Sequence, residues 1–215
     1  MLYQARSLSK FIAAIGTMRL VEAGTLKLDG DVNDQLTSWR MPRSDFDATH
    51  KVTSCGLLSM TGVIGAPGFL GYEVTVNRNS WQRLSLFRRG CEIAEAMVQD
   101  VTGKPFPQLM QDLALGPMGM TDSSFDLPPS AAVASKAVSG HFSDGKEPPG
   151  RWHIFPKPAA ARLWSTPTDL ANLLVQLADT WQRLTSIFSP PPDSARDADA
   201  TEWQVLRAWR RGCGR

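Results

Sequence analysis

The sequence predicts a chain of the α+β class in which helix predominates. Three observations carry that reading. Apolar residues recur at spacings of three and four in separate stretches, the pattern of a helix with one buried face. Those stretches are bounded by residues that start or stop helices, such as threonine and proline at the beginning and glycine after the end. Strand character, by contrast, is confined to Val74-Thr75-Val76.

Composition narrows the function classes. At 215 residues the chain is long enough for one domain, or one and a half, with a substantial core. A net charge of +2 implies no strong attraction to nucleic acid or membrane. The three cysteines, Cys55, Cys91 and Cys213, are far apart and odd in number, which points to free thiols rather than a disulfide framework or a zinc site. His50, His141 and His153 lack the i, i+4 pairing of zinc hydrolases, so neither a metal nor another cofactor is expected. No run is long enough to span a membrane, and the N-terminus lacks the pattern of a secretory signal. The default expectation is therefore a cytoplasmic protein.

The first helix is expected over Gln4–Gly24. Leu8, Phe11, Ile12, Ile15, Met18 and Val21 would form its face, and Gly24 sits where a left-handed residue ends a helix. Leu26 and Leu28 are expected to tuck beneath it, followed by a turn at Asp29-Gly30. The stretch from Lys51 to Gly62 predicts a brief helical turn and a loop, and the glycines from Gly62 to Gly71 make the next stretch irregular. The four arginines Arg78, Arg83, Arg88 and Arg89 read as a solvated face rather than a binding patch. Helix returns over Cys91–Val101, with Ile93, Ala94, Met97, Val98 and Val101 on one face and a stop at Gly103 and Pro105. Another helix is expected from Phe106 to Leu115, with Met118 and Met120 in the core beyond it. The last begins with Thr166 as N-cap, Pro167 at the first position and Asp169 at the third, burying Leu170, Leu173, Leu174 and Leu177. Residues 181–215 read as a charged tail, broken by Pro190-Pro191-Pro192, behind a domain of residues 1–180.

Near the start of the first helix lies Ser7-Leu8-Ser9-Lys10. A serine and a lysine three apart share a helix face. A serine hydroxyl needs a neighbouring base to act as a nucleophile, and a lysine kept neutral by burial or nearby positive charge can be that base. A bland alternative is a helix start in which Ser7 caps and Lys10 reaches solvent. Ser9 points away from Lys10 and reads as structural.

Longer stretches follow in order: Gln4-Ala-Arg-Ser-Leu-Ser-Lys with Arg19-Leu-Val-Glu-Ala-Gly-Thr-Leu-Lys-Leu-Asp; Gly56-Leu-Leu-Ser-Met-Thr-Gly; Val101-Thr-Gly-Lys-Pro-Phe with Gly116-Pro-Met-Gly-Met-Thr-Asp-Ser-Ser-Phe; and Gly150-Arg-Trp-His with Ala159-Ala-Ala-Arg-Leu-Trp-Ser-Thr-Pro-Thr-Asp-Leu-Ala. Over residues 4–178 the chain resembles the β-lactamase-related serine hydrolases, namely class C β-lactamases, their esterase relatives and D-alanyl-D-alanine carboxypeptidases. That resemblance implies a β-lactamase/transpeptidase-like fold with mainly the helical region present and the sheet incomplete. It implies Ser7 as the acylated nucleophile and Lys10 as its partner. It places Tyr72, His153 and Trp164 at the substrate, although Trp152 and Trp164 also read as core. The substrate would be a small-molecule ester, a β-lactam or a D-alanyl peptide; no nucleic acid and no membrane span are expected, and the oligomeric state is open.

The family's second motif contains a tyrosine, and the matching residues, Leu86-Phe87-Arg88, have none. Its third motif, Lys-Thr-Gly or a variant after the last helix, has no counterpart. Met60 and Arg162 stand where relatives carry other residues. The sequence thus leaves two readings open: an acyl-enzyme hydrolase, or a catalytically inactive remnant or binding-only relative. A shortened or frame-shifted gene would explain the clustered departures, and a missing N-terminus would make a periplasmic or secreted location the expectation instead.

Overall fold

Helix α1 (Leu8–Glu22) is the element against which the core assembles in this computed structural model, which describes residues 1–41, 51–59, 89–126, 129–152 and 158–188. It is preceded by strand β1 (Tyr3–Gln4) and followed by a 3₁₀ turn (Val32–Asp34) and α2 (Ser54–Leu58). Then come α3 (Arg89–Thr102), α4 (Phe106–Met110), α5 (Ala131–Lys136), α6 (Pro158–Ala161), β2 (Trp164–Ser165) and α7 (Pro167–Phe188). Helix α4 runs on into a wider π turn over Gln111–Leu115. The strand expected at Val74–Val76 lies outside the described residues, as does the tail after residue 188.

The first helix starts later than its periodicity predicts. Gln4 belongs to β1, which pairs antiparallel with β2 in the register Tyr3 with Ser165 and Gln4 with Trp164. The Ala5 N–H donates to the Leu163 carbonyl, and Arg6 then turns the chain at φ 45°. Pairing with residues far along the chain overrides local helix propensity here. The buried face is also rotated from the expected one. Leu8 and Phe11 are about half exposed, while Ser9, Ile12, Ala13, Gly16, Thr17 and Leu20 are buried. Small residues on that face let neighbours approach closely: a Cβ on Gly16 would stand 2.5 Å from Met110 Cε. The helix ends as predicted. Gly24 has φ +70°, its N–H donates to the Val21 carbonyl, and the Thr25 N–H donates to the Leu20 carbonyl. These two bonds form the paired C-terminal cap that a left-handed glycine makes possible.

Other boundaries follow their signals. The Thr53 side chain accepts from the Gly56 N–H at 3.1 Å and starts α2. Helix α3 buries Ile93, Ala94, Met97 and Val98 as expected. Thr166 Oγ1 accepts from the Asp169 N–H at 3.1 Å and starts α7. On α7, Leu173 is buried but Leu174 is 65% exposed, so the buried stripe is narrower than the leucine spacing suggests. Asp169 is itself buried. It accepts from the Asp122 N–H at 2.9 Å and from Ser123 Oγ at 2.7 Å, tying α7 to the turn before Phe125.

The main core joins Ile12, Leu20, Leu36, Leu57, Met97, Phe106, Met110, Leu115 and Phe125, with Phe106 and Phe125 meeting edge to face at 5.3 Å. A satellite cluster of Leu2, Ala137 and Trp164 sits by the small sheet. Cys91 is a free thiol, as expected. Among the described residues no helix is long and apolar enough to cross a membrane.

Candidate active site

Ser7 and Lys10 meet at the N-terminal end of α1. Ser7 is the N-cap residue, but its side chain makes no capping bond, which leaves Oγ available. Lys10 Nζ donates to Ser7 Oγ at 2.9 Å and to the Ala160 carbonyl at 3.0 Å. The second contact crosses from α1 to α6, so it is tertiary structure that holds the amine over the serine. Ser7 is exposed and Lys10 half-buried, so the hydroxyl is open to solvent while the amine lies beside the core.

Ser9 has the structural part that its position suggests. Its hydroxyl donates to the Arg6 carbonyl and accepts from the Leu163 N–H at 2.9 Å, and the side chain is wholly buried. It locks the turn before Ser7 to the segment entering β2. Arg6, at φ 45°, is a non-glycine residue in the left-handed region immediately before Ser7. Such backbone is held only when its surroundings over-determine it, and Ser9 supplies part of that restraint.

Helix α3 brings further ionisable groups to the same place. The Ala159 N–H donates to Glu95 Oε2 at 3.0 Å. Burial pushes the Glu95 carboxyl up to about 7, and the Glu92 charge pushes the same way; the Ala159 N–H and the Arg162 guanidinium act against them. Burial raises the Cys91 thiol too, opposed by the charge of Lys10. Burial lowers Arg162, and Glu95 counters it. None of these groups was singled out as a site residue by the sequence. The one available signal was an acidic pair, Glu92 and Glu95, interleaved with the apolar residues of the helix's first two turns.

Of the residues that the sequence reading placed at the site, Ser7 and Lys10 come together. Trp164 is 1% exposed and packs edge to face on Trp152 at 5.3 Å in the satellite cluster. Tyr72 and His153 lie outside the described residues.

Comparison with known proteins now adds the lineage. The beta-lactamase family profile matches residues 1–211. The chain belongs to the beta-lactamase family. No curated protein sequence matches it. Among solved structures, FmtA from Staphylococcus aureus superposes with a TM-score of 0.62 at 15% identity, over 83% of this chain and 53% of that one. A beta-lactamase/D-alanine carboxypeptidase from Yersinia pestis, complexed with citrate, gives 0.58 at 15% identity, over 80% and 52%. EstCE1, described as a hydrolase with promiscuous acyltransferase activity, gives 0.58 at 17% identity, over 80% and 57%. At these identities the likeness shows the fold: β-lactamase/transpeptidase-like, mostly helical, with a small two-stranded sheet. The chain spans about half the length of the structures it matches.

Proposed function

We propose that the protein is a serine hydrolase that forms an acyl-enzyme on Ser7 from an ester, a β-lactam or a D-alanyl peptide. The observation that carries this reading is the 2.9 Å contact between Lys10 Nζ and Ser7 Oγ, held from outside the helix by the Ala160 carbonyl. Family membership and structural relatives that include a carboxypeptidase and an acyltransferase support it.

The chemistry follows from the contacts. Lys10 keeps one N–H on the Ala160 carbonyl, which places Nζ to take the Ser7 proton. As Oγ attacks the substrate carbonyl, the new C–O bond forms and the proton passes to Nζ. The resulting ammonium returns that proton to the departing alcohol or amine as its bond to the carbonyl carbon breaks. Water then attacks the Ser7 ester, and the acid leaves with Ser7 restored.

Intact-mass analysis after exposure to a fluorophosphonate and, separately, to a penicillin tests the reading. A single adduct that is lost in Ser7→Ala is expected. A soluble, cooperatively folded protein that takes no adduct from either reagent would overturn it and leave the binding-only or vestigial reading.

A further inference from the structure

Helix α6 is the shared support of two backbone contacts, only one of which the proposed chemistry uses. It is a short run of small residues, with Ala159 and Ala160 buried between α1 and α3. Such a segment has little side-chain bulk to fix its position, so its backbone contacts matter. On one side the Ala159 N–H donates to Glu95 of α3 at 3.0 Å. On the other, the next residue's carbonyl accepts from Lys10 of α1 at 3.0 Å, and Lys10 reaches Ser7 at 2.9 Å. Glu95, Ala159, Ala160, Lys10 and Ser7 therefore form one continuous path across three helices.

We propose that Glu95 is a positioning residue: its carboxylate, through the Ala159 N–H, holds α6 where the Ala160 carbonyl keeps Lys10 against Ser7. The proposal rests on the reading of Ser7 and Lys10 as the reacting pair. It assigns Glu95 no contact with substrate. An ionised carboxylate accepts more strongly from an N–H than a neutral acid does, so the hold tightens when Glu95 loses its proton. Burial sets this titration, the Ala159 N–H and Arg162 after α6 oppose it and Glu92 on α3 adds to it, with Cys91 on α3 and Lys10 on α1 the other ionisable groups of the cluster. With the carboxyl raised to about 7, the hold would be weak in mild acid and full in mild alkali.

The test uses the full chain labelled with ¹⁵N and carbonyl ¹³C in alanine, observed by NMR from about pH 5 to about pH 9, a range that brackets the raised carboxyl. Signals are assigned by single replacement of Ala159 or Ala160 with glycine. The expected result is that the Ala159 amide and the Ala160 carbonyl shift together with one midpoint near neutrality. Both signals should be flat in Glu95→Gln, whose amide oxygen keeps the shape but does not titrate. An Ala160 carbonyl that ignores pH in the unmodified chain, or a midpoint that survives in Glu95→Gln, would overturn the proposal.

Reaction at Ser7 is read separately. If Ser7 takes a fluorophosphonate, its rate should rise through the same midpoint, and Glu95→Ala should slow it by about tenfold, in keeping with loss of one charge-assisted bond. A rate with no such midpoint would also overturn the proposal. If Ser7 takes no adduct at all, the hydrolase reading fails, and the alanine signals still decide whether Glu95 sets the position of α6.

Discussion

Replacing Glu95 by glutamine should make the protein more stable at neutral and alkaline pH and leave it nearly unchanged in acid. Glutamine copies the protonated carboxyl in shape and can still accept from the Ala159 N–H. In the folded protein the carboxyl is raised from 4.5 to about 7, with burial as the largest cause. Between those values the folded state keeps a proton that the unfolded chain has lost. Stability therefore falls as pH rises through that window and levels off above it. At about 1.4 kcal/mol per pKa unit, the shift corresponds to about 3 kcal/mol by order of magnitude. Urea unfolding followed by circular dichroism, at fixed ionic strength and at several values from about pH 5 to about pH 8, measures it. The difference between Glu95→Gln and the parent cancels the titration of other groups. It should grow to about 3 kcal/mol in favour of the variant. A difference that stays within about 0.5 kcal/mol would refute the reasoning. One of opposite sign would mean that Arg162 and the Ala159 N–H outweigh burial.

Four further outcomes are expected. Ser9→Ala strips the partner from the Leu163 N–H and leaves the Arg6 carbonyl only the backbone N–H of residue 9, and should destabilise by about 2 kcal/mol in urea unfolding. Ser7→Ala, which removes an exposed hydroxyl with no capping bond, should change stability by less than about 0.5 kcal/mol in the same assay. Gly24→Ala meets no neighbouring atom, so its penalty is backbone strain at φ +70° alone, about 1 kcal/mol as a lowered thermal midpoint. Asp169→Ala leaves the Asp122 N–H without its acceptor and Ser123 Oγ with Ser165 Oγ alone, and should destabilise by about 2 kcal/mol. Chemical denaturation measures that loss, and Asp169→Asn should recover part of it.

The comparison of Ser7 with Ser9 shows where the reading of the candidate site divided. A serine and a lysine three apart on one helix were legible because their proximity is a property of the helix itself. Ser9 was legible as structural for the same reason. The acceptor that fixes Lys10, the Ala160 carbonyl, lies far along the chain, and nothing local to either residue announces the other. Glu95 was hidden more deeply: within its own helix it reads as an ordinary polar position, and only the arrival of α6 places an N–H on its carboxylate.

What the sequence by itself determined were the features written in local chemistry. The glycine at residue 24 ends α1 in the left-handed conformation that its lack of a Cβ permits, and Thr166 with Pro167 starts α7. The ordered motifs were enough to identify the family. What only the tertiary structure decided were the choices among locally equivalent options. Periodicity marked Leu8 and Phe11 for the buried face, but the close approach of Met110 to Gly16 turned the small-residue face inward instead. Pairing with Trp164 took Gln4 out of the helix it favours. Both outcomes have one physical reason: burial and backbone pairing depend on which distant segment arrives, and a short-range pattern carries no record of that.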